Sequence, residues 1–238
     1  MNFDVEEKSV LKFGSIITIV VGVLYFVVAV MIGMDPVGLY LGSVENYRNL
    51  METPTLNMIW RVLFATLCLL SIAYCNALVI YVKKGSEKYT GIIKWIHVLL
   101  VASMIISAMN WIHYIHMNSV AIGLYRDGTT YEALINERHF PTDSYYFFSW
   151  GVYGFGYFVL NIIALIEKKF SKKMCWLGIV VGLQCMTMVF VYVSGFDFVV
   201  FGVSLNLMIV ISGTLAGITA PIYHFASRKY FLEKATIK

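Results

Sequence analysis

The chain contains few charged residues. Asp, Glu, Lys and Arg make up only 13% of its 238 residues, whereas 59% are hydrophobic and the mean hydropathy is +0.75. Soluble domains carry about 25% charged residues, so this composition predicts an integral membrane protein. Only four prolines occur and no Gly/Ser-rich linker divides the sequence. We therefore interpret residues 1–238 as a single domain.

Acidic residues are absent from the middle of every long apolar run. Proton pumps and cation-coupled carriers generally need carboxylates within the membrane, so a carrier or channel is only our third choice. The sequence also has no phosphate-binding loop, HExxH motif, dinucleotide fingerprint or serine nucleophile elbow. These absences favour a protein that is not an enzyme. The four cysteines lie within or at the ends of apolar runs, so we expect neither disulfides nor a zinc site.

Six apolar runs are each long enough to form a transmembrane helix, which needs about 20 residues. The first has no small-residue cleavage site, so we interpret it as a retained helix. The predicted fold is an all-α bundle of six transmembrane helices. They cover approximately residues 12–33, 57–82, 91–116, 145–166, 174–194 and 198–227.

The lysines predict the orientation in the membrane. Nearly all of them, with Arg228, occur in the N-terminal segment, in 83–88, in 167–173 and in the C-terminal segment. By the positive-inside rule, both termini are cytoplasmic and the protein lies in the plasma (inner) membrane. The net charge of +4 therefore requires no nucleic-acid partner. The expected partners are membrane lipids and either another membrane subunit or a second copy of the chain.

Two outer loops, residues 34–56 and 117–144, are longer than the other connections. The sequence after Ser43 and the sequence TTYEALINERHF (129–140) each predict a short amphipathic helix on the outer surface. Loops of this length are often functional, so they could cover the outer end of the bundle or bind a partner.

Polar and small side chains predict which side of each helix faces protein, because lipid drives no hydrophobic contact between helices. Counted at 100° per residue, five of the six predicted helices carry such a stripe, and the first helix is predicted to be peripheral. In the last helix, GTLAG (213–217), the Pro221 kink and His224 lie close to one face. The stripes could simply make interhelical hydrogen bonds. The alternative is a ligand site lined by Arg61, Asn110, Trp150, Tyr157 and Asn206.

Arg61 lies about one turn inside the predicted second helix, where a charge is costly unless it is paired or reaches the interface. The helix N-terminus would add to its preference for an anion. Its partner could be a lipid phosphate, an anionic ligand or a loop carboxylate. The carboxylates in the outer loops are Asp35, Glu45, Glu52, Asp143 and Asp197.

The histidines raise the alternative of a redox subunit. In NWIHYIHM (110–117), His113 and His116 could share zinc or copper with His139 and Asp143 if the loop folds back. His97 and His224 lie at matching depths and could hold a haem b. Interfacial histidines without a cofactor remain the simpler interpretation. The leading hypothesis is therefore a non-enzymatic membrane protein that binds an amphiphilic or anionic molecule, a lipid or a partner subunit in its outer half.

Overall fold

The computed structural model describes residues 3–34, 51, 54–136, 145–187, 199–200 and 203–236. This part of the chain is almost entirely helical, which confirms the predicted all-α class. A 3₁₀ turn covers Glu87–Tyr89, and Val199–Val200 pairs antiparallel with Val203–Ser204. The helices are α1 (Val5–Met34), α2 (Pro54–Lys83), α3 (Thr90–Arg126), α4 (Tyr131–Asn136), α5 (Tyr145–Ile166), α6 (Lys172–Met186) and α7 (Leu205–Thr236).

Four helical segments among the described residues are long and apolar enough to cross a membrane. They are Val5–Met31, Pro54–Lys83, Glu87–Arg126 and Phe148–Ile166. The chain is therefore a membrane protein by the length and composition of its helices. The two further spans expected at 174–194 and 198–227 include α6 and most of α7, and residues 188–198 between them lie outside the described part.

Several helix bounds differ from those expected. Helix α1 begins at Val5 rather than near residue 12, because Asp4 and Glu7 form a capping box: Glu7 N donates to Asp4 Oδ1 (2.8 Å) and Asp4 N to Glu7 Oε2 (3.0 Å). Helix α3 continues through 117–126, which we expected to be loop, and its 37 residues extend about 55 Å. Helix α7 begins at Leu205 because the preceding residues form the short β pair. The short helix expected within 129–140 is confirmed by α4.

The six long helices form a closed ring in chain order, in which α7 packs against α1. The expectation that the first helix is peripheral is wrong, because α1 packs along both α2 and α7. Small residues make close contacts here, since a Cβ atom on Gly217 of α7 would stand 2.9 Å from Ala29 Cβ of α1. The polar residues Ser15 and Thr18 of α1 are buried as well, so even a short stripe marks a helix face that packs against protein.

The lysine-rich segments meet at one end of the ring, which we call the basic end. Lys84, at the end of α2, forms an ion pair with Glu7 of α1 (2.6 Å). Lys169 Nζ, in the α5–α6 turn, donates to the carbonyl oxygens of Lys84 (2.7 Å) and Gly85 (3.1 Å). Burial lowers the pKa of Lys169, and the nearby carboxylates of the two turns partly offset this.

The C-terminal part of α7 joins the same end. The Tyr230 hydroxyl accepts a hydrogen bond from Ser171 N (3.2 Å), and the Tyr230 ring lies 4.9 Å from the Phe170 ring between centroids. The opposite end of the ring is therefore the end from which the long connections 35–53 and 127–144 depart.

Candidate functional site

Arg61 is buried inside the bundle and does not reach outward. Only 2% of the residue is exposed. Its guanidinium carbon lies 5.0 Å from the ring centroid of Trp60, 5.3 Å from that of Tyr114 and 5.7 Å from that of Trp111. These distances are within the range of cation–π attraction. We call Arg61, Trp60, Trp111 and Tyr114 the arginine cage.

The cage lies far from the basic end. Arg61 precedes Lys83 by 22 residues on α2, which corresponds to about 33 Å along the helix axis. A bilayer has a hydrocarbon core about 30 Å thick. If the basic end lies at one interface, the cage therefore lies close to the other.

Hydrogen-bond donors dominate the chemistry of the cage. Guanidinium and indole groups only donate hydrogen bonds, and the tyrosine hydroxyl is the one side-chain group of the cage that also accepts. The helices that form the cage, α2 and α3, and the neighbouring α5 contain no Asp or Glu. The outer-loop carboxylates proposed as partners, Asp35, Glu45, Glu52, Asp143 and Asp197, all lie outside the described residues. The arrangement is therefore suited to an acceptor-rich, negatively charged group.

The helix N-terminus contributes less to this preference than the sequence suggested. Helix α2 begins at Pro54, so Arg61 lies two turns inside it rather than one. The effect of the helix dipole falls off within the first turn. One turn beyond the cage, the buried amides of Asn57 and Asn118 approach each other across α2 and α3 (3.4 Å). Any attraction for an anion must therefore come mainly from the guanidinium and the indoles.

A continuous series of aromatic rings, the aromatic column, leads from the cage into the ring of helices. Successive ring centroids are 5.1, 5.6, 5.4 and 5.2 Å apart. The first ring comes from α3, the second from α2 and the last three from α5, and together they fill the centre of the bundle with rigid apolar surface. Their order is Trp111, Phe64, Trp150, Tyr153 and Tyr157.

The column ends in a polar cluster at mid-depth. Tyr157 donates a hydrogen bond to the Tyr74 hydroxyl (2.9 Å), and Tyr223 donates to Asn161 Oδ1 (2.7 Å). Asn161 Nδ2 in turn donates to the Tyr157 carbonyl oxygen one turn earlier (2.9 Å). These bonds link α2, α5 and α7 across the centre of the ring and show how buried hydroxyl and amide groups are satisfied there.

The predicted lining residues do not all share one place. Trp150 and Tyr157 are buried at successive levels of the aromatic column. Asn110 adjoins the cage residue Trp111 in sequence and is half-buried, and its Nδ2 has no hydrogen-bond partner among the described residues. Asn206 is in the first turn of α7, and its side chain lies outside the described part. Among the predicted residues whose side chains the structure describes, Arg61 and Asn110 lie at the cage level.

Each histidine expected to bind a metal or haem has a separate environment. His113 and His116 are exposed on α3, while His139 and Asp143 lie outside the described residues. His97 Nε2 is 2.5 Å from Asn76 Oδ1, whereas His224 packs against Tyr74 with ring centroids 4.4 Å apart. No group of three or more His, Cys, Asp or Glu side chains in the described ranges is arranged to hold a metal ion.

Sequence reasoning placed Tyr114 on the inward stripe of its helix but missed the two tryptophans of the cage. Trp60 and Trp111 were not assigned to any polar stripe, although each lies near one end of its expected span, 57–82 or 91–116. Neighbouring antiparallel helices bring such ends together, so the pairing of residues 60–61 with residues 111–114 was the available signal. The polar-stripe rule treats indole rings as lipid-facing anchors and so discounts them.

Comparisons with known protein families, with curated proteins and with solved structures return no significant match. The function proposed below is therefore based on the geometry alone.

Proposed function

We propose that the protein is a six-span plasma-membrane protein, with both termini cytoplasmic, that binds the anionic group of an amphiphilic molecule at Arg61. The observation that supports this proposal is the burial of Arg61, which is 2% exposed. Three aromatic rings border its guanidinium, at the end of the bundle remote from the lysines. In this proposal the protein acts by binding its ligand and not by catalysis.

The charge of Arg61 supports an anion as the ligand. A planar guanidinium can hold two oxygens of a phosphate or carboxylate at once, which lysine does not do.

The depth of the cage supports a lipid-like ligand. A headgroup phosphate lies at the edge of the hydrocarbon core, which is the level at which the helix geometry would put Arg61 in a six-span arrangement. An acidic side chain of a partner subunit at the same level would meet the same guanidinium. We favour the lipid-like ligand because it needs no second protein.

Native mass spectrometry of the detergent-purified protein tests the proposal. We expect wild type to retain an anionic amphiphile and Arg61→Gln to lose most of it. Arg126→Gln is the matched control, since Arg126 is exposed at the end of α3 and carries the same charge outside the cage. The control should retain the wild-type load.

Two outcomes would contradict the proposal. One is an equal ligand load in wild type and Arg61→Gln. The other is recovery of wild type without any bound anion while an acidic partner chain co-purifies and is lost with the same substitution. Arg61→Lys, which keeps the charge, serves if Arg61→Gln does not fold.

A further inference from the structure

His224 has a buried ring nitrogen that no described residue satisfies. Only 2% of the residue is exposed, and Nδ1 has no hydrogen-bond partner among the described residues. The ring packs edge-on against Tyr74 of α2 (centroids 4.4 Å apart) and lies 6.1 Å from the Tyr25 ring of α1. A buried imidazole nitrogen without a partner is costly, so this position calls for a ligand atom.

A second polar group lies on the same face of α7. Pro221 has no amide hydrogen, so the Gly217 carbonyl lacks the donor that it would meet in an uninterrupted helix. Gly217 and His224 are seven residues apart, which is two turns on one face. Carbonyl groups point toward the C-terminus of a helix and side chains tilt toward its N-terminus. From this ideal helix geometry we expect the Gly217 oxygen and the His224 ring to approach each other near the level of Pro221.

The helix segments that border this position carry no formal charge, and the next charge along α7 is the exposed Arg228, one turn further toward the basic end. Residues 13–34 of α1, 62–82 of α2 and 205–227 of α7 include no Asp, Glu, Lys or Arg. A charged ligand here would be buried without a counter-charge, which is strongly unfavourable. A neutral molecule that donates to the carbonyl and exchanges a hydrogen bond with the imidazole has no such cost.

We infer that His224 and the Gly217 carbonyl form an internal site, between α1 and α7 at mid-depth, for one small neutral molecule that both donates and accepts hydrogen bonds. Water is the simplest such molecule, and a small alcohol or amide has the same chemistry. The site is separate from the arginine cage: Tyr74, which packs on His224, is 13 residues from Arg61 on α2, or about 20 Å. This inference does not depend on anion binding at Arg61, so either proposal can fail without the other.

Solid-state NMR of the lipid-reconstituted protein labelled with ¹⁵N-histidine tests this inference. The His224 signal is the one that disappears in His224→Phe. We expect its Nδ1 shift to be that of a hydrogen-bonded nitrogen and to receive magnetisation from water protons. Pro221→Ala, which returns an amide donor to the Gly217 carbonyl, should weaken that transfer.

His224→Asn is the conservative partner of His224→Phe, because its amide lies close to where Nδ1 lies. We expect His224→Asn to retain the wild-type melting temperature more closely than His224→Phe. Native mass spectrometry distinguishes the sources: added mass identifies an organic ligand, and no added mass together with water transfer identifies water. A non-hydrogen-bonded Nδ1 shift without water transfer or added mass would overturn the inference, as would a charged ligand.

Discussion

Gly182 lies where α6 crosses α5 at the closest range, so Gly182→Ala should destabilise the bundle. A Cβ atom at this position would stand 2.7 Å from Phe158 N and 2.9 Å from the Gly154 carbonyl oxygen. Both are backbone atoms, so no side chain can turn aside to make room. The two helices must move apart, and overpacking of this kind costs about 1–3 kcal/mol.

Gly123→Ala is the matched control, since Gly123 lies within α3 and has no atom within 4 Å of its added Cβ. Both substitutions gain the same helix propensity, about 1 kcal/mol, so the difference between the variants isolates the steric cost. For a chain of this length, 1 kcal/mol corresponds to about 2–4 °C in melting temperature. Gly182→Ala should therefore melt about 2–12 °C below Gly123→Ala.

Intrinsic tryptophan fluorescence during thermal unfolding in detergent measures this difference. Equal melting temperatures for the two variants would refute the close crossing of α5 and α6 at Gly154 and Gly182. A melting temperature for Gly123→Ala below that of Gly182→Ala would also refute the open surroundings described for Gly123 on α3.

Three further predictions follow from the described contacts. Tyr223→Phe removes the donor to Asn161 Oδ1 and leaves a buried amide oxygen unsatisfied. Chemical denaturation should therefore show that the free energy of unfolding falls by about 1–3 kcal/mol. Tyr125→Phe, which alters an exposed tyrosine, should leave it unchanged. Lys169→Met removes two hydrogen bonds that join the α5–α6 turn to the α2–α3 turn, so its melting temperature should fall below that of Lys172→Met, which alters an exposed lysine. In a cysteine-free background, Glu87→Cys should react with an impermeant thiol reagent only from the cytoplasm. Gly128→Cys and Gly195→Cys should react only from outside. Labelling of residues 87 and 195 from the same side would contradict the six-span orientation.

Periodicity predicted the helices best where the stripe was continuous. In α5, residues three or four apart form a stripe that is buried throughout, and the bounds 145–166 match the expected span: Trp150, Gly154, Tyr157, Asn161 and Ala164. A polar or small residue at each turn makes one face unambiguous, which explains this agreement.

The sequence predicted α1 and the outer part of α3 poorly, for different physical reasons. Helix α1 packs through Gly14 and Gly22, which fit against α2 and α7, and it buries Ser15 and Thr18; these few residues form a stripe too short to have marked α1 as part of the ring. The outer turns of α3 continue beyond the expected end at residue 116 because Asn118 is buried against Asn57 of α2, a tertiary contact that hydropathy does not encode.

The sequence singled out Arg61 but did not predict its burial among the aromatic rings of the cage. Arg61 stood out as a charge inside an apolar run, and its cost suggested a partner. Its burial among Trp60, Trp111 and Tyr114 depends on the register between α2 and α3, which the sequence of either helix alone leaves open. The structure places Asn110 and Arg61 at one level, whereas Trp150 and Tyr157 lie further along the aromatic column.

A titration of delipidated protein with short-chain phosphatidylglycerol tests the anion site most directly, with tryptophan fluorescence as the readout because Trp60 and Trp111 border Arg61. The account predicts saturable binding that phosphatidylcholine and inorganic phosphate do not reproduce at the same concentration. Arg61→Gln should weaken the binding about tenfold or more, as expected for loss of a charge-assisted hydrogen bond, and Arg126→Gln should leave it unchanged. Equal affinity of wild type and folded Arg61→Gln for phosphatidylglycerol, or the absence of saturable binding by wild type, would contradict the role of Arg61.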